Sequence, residues 1–295
     1  AGGVESSAAS VEQESRVSRI RIIAAAAALA LAAGSAVAQD TDSAPPSADQ
    51  VARELSNPVG SLASLVFQGN YAQLGGSAPG VSDQSSTSLV FLPTLPFKLG
   101  SGNLTLRPSF PVVGAPTLSA PGQWDKVRGF GDIVLLGLWG RKEESGLLWG
   151  GGATTVFPTA SEEATGSGQW QAGPAALVGL LKQWGVVGAL WQHWYGLNSD
   201  PGEEKISKGT LQLFYWFSLA GGWQVGGSPI PTANYLGATT EFSVPINLGV
   251  AKTFVLGSTP MKTTLQGQYF LTRPDVAGPD WGFFFQITPV VKAPW

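Results

Sequence analysis

The sequence predicts an all-β protein, an antiparallel, up-and-down transmembrane β-barrel of about 12 strands. Three observations predict it. Polar and apolar residues alternate through strand after strand of the second half. Long and short links between candidate strands follow one another in turn. Charged residues make up only 13% of the chain, about half the ~25% of ordinary soluble domains, while glycine (39) and tryptophan (11) are plentiful.

The alternation is clearest from Glu241 to Thr253. Phe242, Val244, Ile246, Leu248 and Val250 fall on one face, and Glu241, Ser243, Asn247 and Thr253 on the other. Lys262, Thr264, Gln266, Gln268 and Thr272 then stand opposite Met261, Thr263, Leu265, Tyr269 and Leu271. A period of two means strand, because successive side chains point to opposite faces of a pleated sheet. A soluble core cannot be lined with unpaired amides, which lose their water without replacement, whereas an enclosed lumen can. A soluble β-sandwich or barrel is the competing fold.

Taken in chain order, residues 1–38 read as a signal peptide. Arg16 to Arg21 is basic, the run from Ile22 to Ala33 is apolar, and Ala36-Val37-Ala38 offers the small-x-small cleavage pattern before Gln39. That apolar run is short of the ~20 residues a spanning helix needs. One reading of residues 1–15 is an over-extended start, with translation beginning near Val17. Residues 39–56 read as a flexible periplasmic leader, with a short helical turn over Val51 to Ser56. Residues 57–295 read as the barrel. Its candidate strands are 61–73, 87–98, 102–113, 130–141, 146–158, 169–182, 185–196, 209–220, 222–235, 240–255, 261–272 and 281–292.

Short links fall at Leu99 to Gly102, Lys142 to Ser145, Gln183-Trp184, Gly221-Gly222 and Leu256 to Pro260. Longer ones fall at Leu74 to Ser86, Gly114 to Gly129, Thr159 to Gly168, Leu197 to Lys208 and Arg273 to Asp280; only Leu236 to Thr239 breaks the rhythm. Long loops at one end and tight turns at the other are the habit of outer-membrane barrels. Glu162, Glu163, Asp200, Glu203 and Glu204 sit in the long links. Trp281, Phe283, Phe285 and Ile287, with Trp295 at the end, resemble the C-terminal strand that barrel-insertion machinery reads; Pro289 and Pro294 depart from that pattern.

The chemistry the residues allow is narrow. No cysteine is present, which excludes disulfides, thiolate metal sites and a thiol nucleophile. A net charge of −3 argues against a nucleic-acid partner. His193 is the lone histidine, a single possible base or a rim residue, and its own strand offers Tyr195 rather than a serine two residues on. The Glu162-Glu163 and Glu203-Glu204 pairs lack the spacing of a Ca²⁺ loop and read as solvated charge. Gly150-Gly151-Gly152 lies inside a strand, so it is no phosphate cradle. Alternation turns Arg107, Ser109, Gln212, Asn234, Glu241, Asn247, Lys262, Gln266, Gln268 and Gln286 inward, with Asn103 and Thr105 extending the Arg107 face. These are the candidate lumen-lining residues, Arg107 and Glu241 setting a local field. They form either a path for small solutes or a hydrogen-bonded plug, since twelve strands lie between filled and open barrels. No catalytic, metal or cofactor site is expected.

The chain also resembles the bacterial outer-membrane barrels of the "meta-pathway of phenol degradation" type, many of which carry the label neuromedin U. The resemblance rests on Asn57-Pro58-Val59 with Phe67-Gln68 and Asn70, Gly129-Phe130-Gly131-Asp132-Ile133, and Trp149-Gly150-Gly151-Gly152 with Phe157-Pro158-Thr159-Ala160. It continues through Trp170, Gly173-Pro174, Gly188-Ala189-Leu190 with His193, Thr232-Ala233-Asn234, Val244-Pro245, Arg273-Pro274-Asp275 and Pro279-Asp280-Trp281. It implies an outer-membrane channel or passive transporter for small, hydrophobic or aromatic molecules, and no catalytic residues. Outer-membrane lipids, the insertion machinery and a small-molecule solute are the expected partners. An outer-membrane lipid-modifying enzyme, a closed structural barrel and a soluble periplasmic β-protein are the alternatives.

Overall fold

Strands account for most of the chain, and every pairing among them is antiparallel. The computed structural model describes residues 48–197, 205–236 and 239–293. The candidate export segment, Asp200, Glu203, Glu204, Pro294 and Trp295 lie outside these. One helix, α1 (Ala48–Leu55), precedes β1 (Ala63–Gly75), β2 (Ser85–Leu99), β3 (Gly102–Ala120), β4 (Gln123–Phe130), β5 (Ile133–Lys142), β6 (Leu147–Phe157) and β7 (Gln171–Lys182). Then come β8 (Gly185–Gly196), β9 (Ser207–Ser218), β10 (Trp223–Gly227), β11 (Thr232–Leu236), β12 (Thr239–Leu256), β13 (Thr259–Thr272) and β14 (Gly278–Val291).

Fourteen strands make a wall of twelve positions, because two positions are each built from two strands. β4 and β5 both pair with β3, the first across Val112 to Ala120 and the second across Asn103 to Ser109. β10 and β11 both lie between β9 and β12. The break between them falls at Pro229 and Pro231, which cannot donate to a ladder. Their carbonyls still accept from the Leu213 and Leu211 amides at 2.9 Å each, so contact with β9 survives the break. β14 returns to β1, with Phe67 opposite Ile287 and Asn70 opposite Phe284, and the barrel is closed. The ring of strands leaves no open seam, and only the β3–β4 hairpin beyond Gly114 has free sides.

The twelve positions follow the predicted strands with one correction. Residues 114–129 were expected to be a long link; they form a hairpin that extends β3 and turns at Pro121-Gly122. Proline at 116 hides it in the sequence. Beyond Gly114, β3 pairs only with β4, and a strand with one free side tolerates proline there.

The helical turn expected over Val51 to Ser56 is part of a longer helix, Ala48–Leu55, and the chain after it enters the barrel. The Asp49 carboxylate accepts from the Gly222 amide in the β9–β10 turn, which fixes α1 at the end of the barrel carrying the short turns. Arg53 in the last turn suits the helix dipole. Asn57 closes an Asx turn onto the Val59 amide at 3.1 Å, and Asn103 Nδ2 donates to the Val59 carbonyl at 2.9 Å. Val59 is 2% exposed and packs in one cluster with Leu136, Leu138 and Leu148 from the barrel's inner wall. A Cβ at position 140 would stand 2.7 Å from Val59 Cγ1, so glycine there is what admits the segment. Residues 48–62 therefore plug the lumen from the short-turn end.

Candidate functional site

Side chains of alternate parity separate cleanly. Leu89, Ile246, Leu248, Leu265, Phe283 and Phe285 are exposed on the outer face, Leu248 at 68%. Thr105, Thr154, Gln224, Asn247, Thr264 and Gln266 are buried on the inner one. Above the plug the inner face lines an open cavity of about 450 Å³, its floor formed by Glu54 to Pro58 and Gly60.

Seven of the ten side chains that alternation turned inward line this cavity: Arg107, Gln212, Asn247, Lys262, Gln266, Gln268 and Gln286. Ser109, Asn234 and Glu241 do not. Asn234 and Glu241 face each other in register, with Lys208 beside Asn234, and form a row nearer the long-loop end. The local field expected from Arg107 and Glu241 is thus absent from the cavity. Glu54, from the plug, is its one lining carboxylate among the described residues, against Arg107 and Lys262.

Several lumen amides bind each other. Gln68 Nε2 donates to Gln286 Oε1 at 3.0 Å, and Gln286 Nε2 donates to Thr288 Oγ1 at 2.8 Å. Gln266 Oε1 accepts from the Ser228 amide at 2.8 Å. Lys262 Nζ donates to Ser56 Oγ of the plug at 3.2 Å and lies 5.5 Å from the centre of the Trp216 ring. The expected rule of a polar inward face fails on β5 to β8. There Leu136, Leu138, Leu148, Leu177, Val186 and Leu190 are buried and inward. Val59 of the plug packs in one cluster with Leu136, Leu138 and Leu148 instead of leaving them to water, while Leu177, Val186 and Leu190 extend that cluster along the cavity wall.

The outer face carries two aromatic belts. Trp139, Trp149, Trp184 and Trp223 lie toward the short turns, with Trp139 and Trp149 at 5.5 Å and Lys252 Nζ 4.8 Å over Trp223. Tyr71, Trp170, Trp191, Tyr195, Tyr235 and Trp281 lie toward the long loops, Tyr71 and Trp281 at 5.9 Å. Amphipathic rings at two levels with aliphatic side chains between them match the two interfaces of a bilayer.

A solved outer-membrane channel has the same barrel. The COG4313 outer-membrane channel from Pseudomonas putida F1 superposes with a TM-score of 0.56 at 14% identity, over 87% of this chain and 99% of that one. The β-domain of the Bordetella autotransporter BrkA is matched at 0.44 and 12% identity, over 79% of this chain and 100% of its own. A bacterial polysaccharide outer-membrane secretin gives 0.33 at 11%, over 78% and 99%. No family model and no curated protein matches the chain. At 14% identity the likeness to the COG4313 channel shows the fold alone.

His193 lies on the outer face within the long-loop belt. Its ring centre is 4.3 Å from Tyr195, 5.6 Å from Tyr235 and 6.2 Å from Trp191. Sequence spacing along β8 offered it no serine, yet Ser207 of β9, opposite Tyr195 in register, brings Oγ to 3.1 Å from Nε2. Nδ1 lies over Gly209, where no side chain can orient it. Among the described residues no group of three acidic or imidazole side chains comes together to hold a metal.

Two of the sequence motifs meet in one loop. Asp132 accepts from the Ala160 amide at 3.1 Å and from the Ser167 amide and hydroxyl at 2.6 and 2.7 Å. The Phe130 carbonyl accepts from Thr165 Oγ1 at 2.8 Å. The β3–β4 hairpin and the 158–170 loop are thereby tied together at one end of the barrel. At the other end, the Trp149 indole N–H and the Arg141 guanidinium hold the Glu143 carboxyl below the usual carboxylate range, at 2.8 Å and 2.7 Å.

Proposed function

We propose that this chain is an outer-membrane channel for passive passage of small molecules, held shut by residues 48–62. The observation that carries the reading is the lumen cavity above a plug, inside a wall whose outer face is apolar between two aromatic belts. Its outer residues meet lipid, the short turns face the periplasm, and the protein is exported by its N-terminal segment and inserted through β14. The sequence resemblance to the phenol meta-pathway barrels supports small, hydrophobic or aromatic solutes, and the apolar wall of the cavity suits them. The concentration gradient drives the flux, and no reaction is catalysed.

Swelling of liposomes containing the whole protein and a variant lacking residues 48–60 tests this. The variant should admit sugars and organic acids that the whole protein admits slowly. If both behave as empty vesicles, the barrel is a closed structural element and the transport reading is wrong.

The His193–Ser207 contact favours a second reading, an outer-membrane lipid hydrolase with serine as nucleophile and histidine as base. It predicts turnover of a fluorogenic phospholipid that Ser207→Ala abolishes. Turnover that persists in that variant, or none in the native protein, removes it.

A further inference from the structure

We infer that the lumen cavity binds a small organic anion with an apolar body. This rests on the channel reading and names the class of solute the site takes. The argument begins with charge. Lys262 is 7% exposed, and Arg107 Nε is buried without a hydrogen-bond partner. Both line the cavity. The ion pairs recorded among the described residues, Arg141–Glu143 and Arg273–Asp280, leave both of these cations out. A buried cation without a counter-ion is expensive, and for Lys262 the Ser56 hydroxyl and the Trp216 ring replace lost water without supplying a full negative charge. Glu54 balances one of the two charges, so the lining is net positive by one.

Partners for an anionic head are at hand. A guanidinium and an ammonium give charge-assisted hydrogen bonds, roughly twice as strong as neutral ones. The amides of Gln212 and Gln268 also face the cavity, and neither has a recorded hydrogen-bond partner. An inorganic anion would satisfy these groups alone. The facing wall excludes that as the whole answer: Leu177, Val186, Leu190, Phe214 and Trp216 line the same space, and apolar surface of this kind is stabilised when a ligand removes it from water. A charged head on one side and a hydrocarbon body on the other match the two walls together.

Calorimetric titration of the whole protein in detergent, with hexanoate, hexan-1-ol and inorganic phosphate as separate probes, tests the assignment. Hexanoate should bind at least about tenfold more tightly than either control, a difference of about 1.4 kcal/mol. Arg107→Gln should remove that advantage and leave hexanol unchanged, and Lys262→Met should do the same if the first variant fails to fold. Equal binding of hexanoate and hexanol overturns the anionic half, and phosphate binding as tightly as hexanoate overturns the apolar half. Full hexanoate affinity in a folded Arg107→Gln variant overturns the assignment of its partner. Binding in micelles is separate from flux. Selective hexanoate binding with impermeable liposomes sinks the channel reading alone, and permeability without selective binding sinks this inference alone.

Discussion

The inner faces of β5–β8 and of β12–β14 enclose one lumen and are built on opposite chemistry. On β12–β14 most inward residues are amides, hydroxyls and Lys262, with Pro245, Phe270 and Phe284 among them, while the outward ones are mainly aliphatic and aromatic. On β5–β8 the inner face is mostly apolar, Thr154 and Gln171 apart, and Gly140, Gly150 and Gly152 stand where side chains would collide with neighbouring backbone or with Val59. The difference teaches that a barrel wall has two kinds of interior. One half is a lumen in the ordinary sense; the other is a protein core whose second layer is the plug.

Removing the plug should break the comparison most completely. A chain lacking residues 48–60 exposes Leu136, Leu138 and Leu148 to water, while β12 and β13 lose the cover of α1 and the Ser56 hydroxyl. We expect the largest gain in single-channel conductance from this variant, together with a lower unfolding temperature. Unchanged conductance would show that the segment does not occlude.

Gly140→Ala is next. Its Cβ would stand 2.6 Å from the Trp149 carbonyl and 2.7 Å from Val59, and overpacking of this kind costs about 1–3 kcal/mol. Gly267→Ala on the outward face of β13, where the nearest atom is 4.0 Å away, is the control for glycine replacement as such and should be near neutral. Thermal unfolding of the heat-modifiable gel band reads both, and equal midpoints would show that Gly140 does not make room for Val59.

Smaller effects separate the two kinds of plug contact. Val59→Ala empties part of the apolar cluster and should cost about 1–3 kcal/mol. Ser56→Ala, which removes one hydroxyl partner of Lys262 and Gln224, should cost about 1 kcal/mol. A larger loss from Ser56→Ala would place the plug's anchorage on the polar half.

The smallest effect lies outside the wall, at the β5–β6 turn. The Glu143 carboxyl is held low by Trp149 and then Arg141. Its contribution to stability is therefore fully present above the ordinary carboxylate pKa and is lost as pH falls through the lowered folded value. The Trp149 indole N–H resonance should shift on acidification with a midpoint below that of a free glutamate, and Glu143→Gln should abolish the shift. A midpoint at or above the free value would show that the contact does not form.

How much of this could be read from the residues follows the same division. β12, β13 and β14 were legible because lipid-type and water-type residues alternate there, which is the contrast a period of two needs. β5 to β8 were placed by their turns, since two apolar faces carry no beat. The β3–β4 hairpin was lost because Pro116 and Gly114 read as loop, although the free side of β3 accommodates them. The plug was invisible for another reason. Asn57 to Gly60 has no periodicity, and Val59 becomes a core residue only through Gly140, which lies far along the chain. Asn234 and Glu241 have the right parity but the wrong height, and alternation says nothing about height. Ser207 escaped because the contact with His193 runs across strands, where spacing along one strand is silent.

The seam between β1 and β14 has a consequence for assembly. Phe67 finds Ile287, and Ala63 finds Val291, only after nearly all of the intervening chain has been made. Contacts so distant in sequence make for slow folding. Until the ring shuts, both border strands offer unpaired amides and carbonyls to any passing segment. A molecule truncated before β14 should therefore accumulate as aggregate and leave no barrel of eleven staves.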